Sequence, residues 1–374
     1  MHFETAVTGR DFDRWLALTD RLYPTGQFVP PIRQHLVALF NRYRLGAEKD
    51  ACRFCYVLDG SGEVVARTTL HSDARIDQKL RQRVQLFGFT EFADQYDVFQ
   101  FLMDEIASHG RRTDRRLMLG PANLLPNEYG GVVTSNFHQP SFLDAPYNHD
   151  YYPDYYRRYG FSPRFDSSTF ICDAIAASEL DPDLVFPFDD NRLEAEHLEI
   201  RHGDRRHFRE QVRALHEMLN ASFSCLDYYT QITIGELWAR VEGLAHLLDE
   251  RLLLYLVREG RPVAFIVCMP DISSFITDVR GNMHGLNLIR LWLFRRHFRR
   301  TAILLIKGTV PSMQGKGYMT LLSRELLKNL RSGGYSTLRC TSIERANRSS
   351  SSQLLRMRGR VLHDVTYYQL AIAP

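Results

Sequence analysis

The side chains and glycines best placed to do chemistry fall in one stretch. Residues 303–307 read as an apolar strand that runs into Gly308-Thr309-Val310-Pro311-Ser312-Met313-Gln314-Gly315-Lys316-Gly317-Tyr318-Met319, and a helical pattern of Leu321, Leu322, Leu326 and Leu330 follows at once. A strand, a glycine-bearing turn and a helix in that order aim free backbone N–H groups and a positive helix end at an anion. Phosphate is the natural guest. The spacing is not that of a P-loop, because six residues rather than four separate Gly308 from Gly315 and Gly rather than Ser or Thr follows Lys316. It is not a dinucleotide fingerprint either, since Thr320 stands where a third Gly is needed.

The elements that must position this loop occur twice along the chain. Phe3 to Val7 reads as a short strand, followed by Asp11 and an amphipathic helix with Phe12, Trp15, Leu18 and Leu22. Leu198-Glu199-Ile200, Asp204 and a helix with Phe208, Val212, Leu215 and Leu219 repeat that phrase. A hairpin comes next in each half, over residues 54–69 around Asp59-Gly60-Ser61-Gly62 and over 252–269 around Glu259-Gly260. Each half then carries a strand, a helix, a further strand, an Asn (Asn148 or Asn347), a Gly twelve positions on (Gly160 or Gly359) and a last strand. This is the mark of a duplicated unit. Residues 173–197 hold eight acidic residues and one Arg together with Pro182 and Pro187, which reads as a linker or surface strap. The expected division is an N-terminal domain over 1–175, an acidic linker over 176–195 and a C-terminal domain over 196–374.

Composition agrees with a folded chain of this size. The 374 residues are 44% hydrophobic, 24% charged and 12% aromatic, which excludes disordered, collagenous or mainly membrane-embedded classes. With 47 Lys and Arg against 44 Asp and Glu, the net charge of +3 gives no field for a nucleic acid. The start of the chain meets Arg10, Asp11 and Asp13 before any apolar run, so no secretory leader is expected and the location is expected to be cytoplasmic. Residues 286–300, beginning at Leu286 and ending at Arg300, contain five Arg, one Trp, two Phe and no acid. At about 22 Å if helical, the stretch is too short to span a bilayer but suits its interface, the inner face of the membrane, or the wall of an acyl-chain site; a helix packed on the core with a basic end is the alternative. No metal site is expected: Cys52 and Cys55 form a lone C-x-x-C, and His216-Glu217 lacks the second His of a zinc protease. No Gly-x-Ser-x-Gly elbow is present.

The loop resembles the pyrophosphate loop of the GNAT superfamily of acyl-CoA-dependent N-acyltransferases, in which a strand ending Val-x-Pro leads into Gln/Arg-x-x-Gly-x-Gly/Ala. Val310, Pro311, Gln314 and Gly317 match it, and Met319 departs from it. The resemblance implies a donor site made by Val310, Gln314, Gly315, Lys316, Gly317 and Tyr318, with Asn347 meeting the pantetheine arm. In the first half, Gly120-Pro121-x-Asn123, Asn127-Glu128-x-Gly130, Phe137-x-x-Pro140, Tyr147-Asn148-x-x-Tyr151-Tyr152 and Gly160-Phe161 are similar to a group of bacterial tandem GNAT-like proteins, and bacterial ceramide synthases are GNAT-like acyltransferases of related kind. The implied fold is α/β, two tandem GNAT-like domains, each a mixed twisted sheet flanked by helices. The first half has no glycine-rich turn before its corresponding helix, so it is expected to bind no second CoA.

Acyl transfer to an amine needs a proton acceptor, an oxyanion donor and a proton for the leaving thiolate. Glu344, at the end of the strand beside the loop, and Glu128, in the long insertion peculiar to the first half, are the candidate bases. The position where many GNAT enzymes carry an acidic Tyr is Leu355, and its counterpart in the first half is Tyr156, with Tyr147 and Asn148 nearby as candidate acceptor-binding residues. The expected function is N-acylation by a fatty acyl group carried on acyl-CoA or an acyl-carrier protein as co-substrate, with no permanent cofactor and with a sphingoid base or another amino lipid as acceptor. A FemX-like aminoacyltransferase and a non-catalytic thioester or lipid binder are the alternatives.

Overall fold

The computed structural model describes residues 1–23, 26–45, 51–124, 128–224, 226, 229–241, 249–294 and 300–373. Thirteen strands lie among them: β1 His2–Thr5, β2 Cys52–Leu58, β3 Val64–His71, β4 Val84–Phe92, β5 Leu117–Gly120, β6 Val132–Val133, β7 Ser162–Cys172, β8 Leu198–His202, β9 Leu253–Arg258, β10 Arg261–Pro270, β11 Thr301–Thr309, β12 Thr337–Glu344 and β13 Arg360–Ala371. The fold is mixed α/β.

The chain forms two compact units that interleave in sequence. The first holds Met1–Ser167, Ser273–Ile289 and His363–Pro374, and the second holds Ser168–Ile272 and Arg290–Leu362. Strands β7 and β13 are each divided between them. The last strand in sequence therefore serves mainly the first unit, although its position in the chain suggests the second half. Packing explains this, because Tyr368 stacks on Tyr156 at 4.8 Å between ring centroids within the first unit's aromatic core.

In the first unit the sheet runs β1-β2-β3-β4-β5-β13, with β4 and β5 parallel and the other pairs antiparallel. The second runs β8-β9-β10-β11-β12, with β11 and β12 parallel. Local sequence accounts for the flanking helices. Thr8 caps the helix Gly9–Leu22 in a capping box with Asp11, and Phe12, Trp15 and Leu18 bury its inner face. The helix Tyr318–Ser332 buries Leu321, Leu322, Leu326, Leu327 and Leu330 against β9, β10 and β11. Cys52 and Cys55, three apart on β2, lie on opposite faces of the sheet and in different apolar clusters, so they do not converge on one ion.

Candidate active site

The loop of the second unit takes the shape an anion needs. Val310 donates its N–H to the Val263 carbonyl at 3.0 Å and packs its side chain on the core, ending the strand. Gln314 closes the turn by donating Nε2–H to the Thr309 carbonyl at 3.1 Å. Gly315 and Gly317 sit at φ +77° and +80°, left-handed values that other residues reach only at a cost of about 1–2 kcal/mol. Gly317 is the N-cap of the helix Tyr318–Ser332, which has no acidic residue in its first turn. Among the described residues, the N–H groups of Lys316, Gly317, Tyr318 and Met319 have no acceptor. Met319, the departure from the GNAT pattern, lays its side chain on the core.

The acidic segment is a strap along this helix. Asp183 pairs with Lys328 at 2.8 Å and with Arg324 at 3.4 Å, and Asp190 pairs with Arg324. At the loop itself, Arg192 donates to the Lys316 carbonyl at 2.9 Å and to Glu196 at 2.6 Å, and the Tyr318 hydroxyl donates to Glu196 at 2.5 Å. These donors hold the Glu196 carboxyl below its ordinary range. Arg192 is thus fixed beside the free N–H groups, with its charge balanced by Glu196.

Beside the loop, β11 and β12 separate. They pair from Thr301 with Thr337 to Leu304 with Cys340, and no pairing follows. Thr341 bridges the point of divergence by donating to the Leu305 carbonyl at 2.7 Å. Past that point lies Lys307, half-buried, with Nζ donating to Gln353 Oε1 at 2.5 Å and to the Ser350 carbonyl at 3.3 Å. Desolvation lowers its pKa to about 8, so roughly a tenth of it is neutral at pH 7. The sequence reading missed Lys307; its signal is a lone charge ending an apolar strand. Glu344 ends β12 with a carboxylate that makes no ion pair among the described residues. Asn347 caps the helix Arg348–Arg356 by accepting from Ser350 N–H at 3.1 Å, so its oxygen is engaged while its amide N–H remains available.

The first unit repeats the strand architecture with other groups. A bulge interrupts β3/β4 between the pairs Thr69–Gly88 and Arg67–Glu91, and another interrupts β10/β11 between Cys268–Leu304 and Val267–Ile306, with Ile266–Lys307 next. Counted from the bulge, Glu91 and Lys307 occupy the same position. Glu91 is buried, and its Oε2 accepts from the Tyr23 and Tyr152 hydroxyls at 2.6 and 2.8 Å. Burial raises its pKa, opposed chiefly by the charge of Arg67. Arg67 is 2% exposed, lies 4.0 Å over the Trp15 ring, and donates from Nη1 to the Trp15 carbonyl while its Nε has no partner. Both residues line a cavity of about 50 Å³.

Tyr147 and Asn148 line the same cavity. Tyr147 donates to Gln27 at 2.6 Å, while Asn148 both accepts from and donates to the Val133 backbone, filling the place of a strand partner. Glu128 pairs with His35 at 2.9 Å. Tyr156 is fully buried among Phe87, Phe99 and Tyr368, its hydroxyl has no partner, and it does not line the cavity. This position makes Tyr156 a core residue, and its nomination as a proton donor gives way to packing. The helix that begins in the first unit's corresponding turn, Tyr96–Arg112, carries Asp97 in its first turn, which opposes an anion.

No family model matches the chain. Protein YghO of Escherichia coli (strain K12) is 21% identical over 333 residues, 87% of this chain and 83% of that protein. A bacterial ceramide synthase of Caulobacter vibrioides is 22% identical over 223 residues, 59% of this chain and 57% of that one. Among solved structures, a tandem GNAT protein from the clavulanic acid biosynthesis pathway aligns over 100% of this chain and 99% of its own, with a TM-score of 0.59 at 12% identity. A GCN5-related N-acetyltransferase from Sphaerobacter thermophilus aligns over 100% and 96%, with a TM-score of 0.51 at 10% identity. The chain has the tandem GNAT fold.

Proposed function

We propose that the protein is an N-acyltransferase whose second unit binds an acyl thioester. The observation that carries this reading is the run of free N–H groups from Lys316 to Met319, set at the helix start next to the diverging strands β11 and β12. The pyrophosphate of a CoA donor, or the phosphate of an acyl-carrier arm, accepts from those groups. Its amide-bearing arm lies along the unpaired edge of β11 as an added strand. Neutral Lys307 takes a proton from the acceptor ammonium, directly or through water, and Glu344 is a second acceptor for it. The freed amine attacks the thioester carbon, the C–S bond breaks, and the proton passes to the departing thiolate.

The donor is a fatty acyl thioester and the acceptor an amino lipid, of which a sphingoid base is the most specific form. Two observations support this finer reading: the similarity to the Caulobacter ceramide synthase, and the helix Leu286–Phe294, on which Leu286, Leu288, Ile289, Trp292 and Leu293 are exposed. Arg295, Arg296, His297, Phe298 and Arg299 of the basic stretch lie outside the described residues. Among the described residues no helix is long and apolar enough to cross a membrane. The proposed contact with lipid is peripheral, on the inner face of the membrane, through the exposed side of Leu286–Phe294.

Thermal-shift titrations with CoA, long-chain acyl-CoA and acyl-carrier protein test the donor. A rise in melting temperature with at least one thioester is expected, and none with any would end the acyltransferase reading. Lipid mass spectrometry of cells with and without the protein then tests the acceptor. Unchanged N-acylated sphingoid bases would remove the ceramide proposal alone.

A further inference from the structure

The structure assigns a second binding site, within the first unit, to a primary amine that carries an oxygen acceptor on the neighbouring carbon. The site is the cavity lined by Arg67 and Glu91, which face each other as cross-strand partners on β3 and β4. Directly opposed residues of an antiparallel pair have Cβ atoms about 5 Å apart, so both side chains reach the same small space. Their free hydrogen-bonding capacity is complementary. Glu91 uses Oε2 for both phenols, and no described residue donates to its Oε1. A carboxylate accepts only, so its guest there must be a donor.

Arg67 presents the opposite requirement. One of its nitrogens is bound to the Trp15 carbonyl, and its Nε is buried without an acceptor. A guanidinium donates only, so its guest must supply a lone pair. An ammonium against Glu91 with a vicinal hydroxyl or carboxylate oxygen against Arg67 satisfies both at once. Leaving either buried group unmatched is costly. A volume of about 50 Å³ holds roughly four water-sized groups, the amine, the two carbons and the oxygen of such a unit, while the open mouth lets the rest of a larger guest extend outward. Phe28, Pro31 and Phe89 supply the apolar part of the lining. The site stands on its own geometry; its use as the acceptor site rests on the acyltransferase reading.

Calorimetric titration of the full chain without any thioester tests the site separately from that reading. The probes are ethanolamine, 2-amino-1,3-propanediol and serine, with n-propylamine lacking the oxygen and 1,3-propanediol lacking the amine. At least one of the first three is expected to bind at least tenfold more tightly than either control. A preference for the amino alcohols identifies a lipid-type head group, and a preference for serine identifies an α-amino acid. Glu91→Gln keeps an acceptor for Tyr23 and Tyr152 but removes the charge, and is expected to weaken binding at least tenfold, with a lowered melting temperature because Arg67 loses its counter-charge. If that variant does not fold, the probe series on the unaltered chain decides. No binding by any amine up to tens of millimolar, or none of the three oxygen-bearing amines binding more tightly than propylamine, would overturn the assignment.

Discussion

The two units place a titratable group at the same step past the same bulge, yet surround it in opposite ways. In the second unit Lys307 lies where β11 and β12 part, next to a turn whose N–H groups are free and whose helix starts without an acid. In the first unit Glu91 faces Arg67 across a small pocket, and the equivalent helix begins with Asp97 in its first turn. A strand bulge re-aims one side chain whatever the residue is. What that side chain then does depends on its neighbours: low polarity pushes the amine of Lys307 toward its neutral form and the carboxyl of Glu91 toward its protonated form. On the function proposed above, one scaffold thus supports an anion site in one copy and an amine site in the other.

The largest effect that would sharpen this contrast is expected from Arg67→Met. It leaves Glu91 buried without its compensating cation; breaking a directly bonded buried pair costs about 3–5 kcal/mol, which is the upper limit here because no direct ion pair joins these two described residues and Glu91 can take up a proton. The urea midpoint should fall accordingly, and Glu91→Met added on top should recover most of the loss. If the double variant is no more stable than the single one, the two charges are not coupled. Gly317→Val comes next. A β-branched residue at φ +80° distorts the anion turn, and the strain of about 1–2 kcal/mol, with the lost N–H alignment, should weaken thioester binding roughly ten- to hundredfold. Amine binding in the first unit should be untouched, and thioester binding at wild-type strength would move the donor site elsewhere.

The smallest effect is a pH dependence. Lys307 has a folded pKa of about 8 against an ordinary 10.5, so between those values the unfolded chain binds more protons. Stability should therefore rise with pH from about 8 to about 10.5, by about 1–3 kcal/mol, and the acyl-transfer rate should rise toward a plateau above about pH 8. Lys307→Met should flatten both curves. A rate profile that keeps its rise in that variant would assign the proton to Glu344.

Much of this was legible in the residues. The apolar strand, Gly315, Gly317 and the leucine period that follows required a turn and helix with an anion-binding end, because glycine conformation and helix geometry are local properties. The acidic run was legible as a strap by its charge, although only packing shows that Asp183 and Asp190 meet Arg324 and that Arg192 reaches the loop. Tyr156 illustrates the converse: its type suggests chemistry, but its surroundings of Phe87, Phe99 and Tyr368 make it core. Arg67 and Glu91 are 24 positions apart with nothing distinctive between them, and only strand register sets one against the other.

By itself, then, the sequence determined the two repeated α/β halves and the anion turn, since periodicity, capping and glycine act over a few residues. The tertiary structure alone decided that β13 joins the first unit, that Lys307 and Glu91 share one position beyond a bulge, and that Arg67 and Glu91 line one pocket. Each of these depends on which strands lie side by side and in what register. That choice is made by burial of apolar surface over the whole chain, and no short window of residues encodes it.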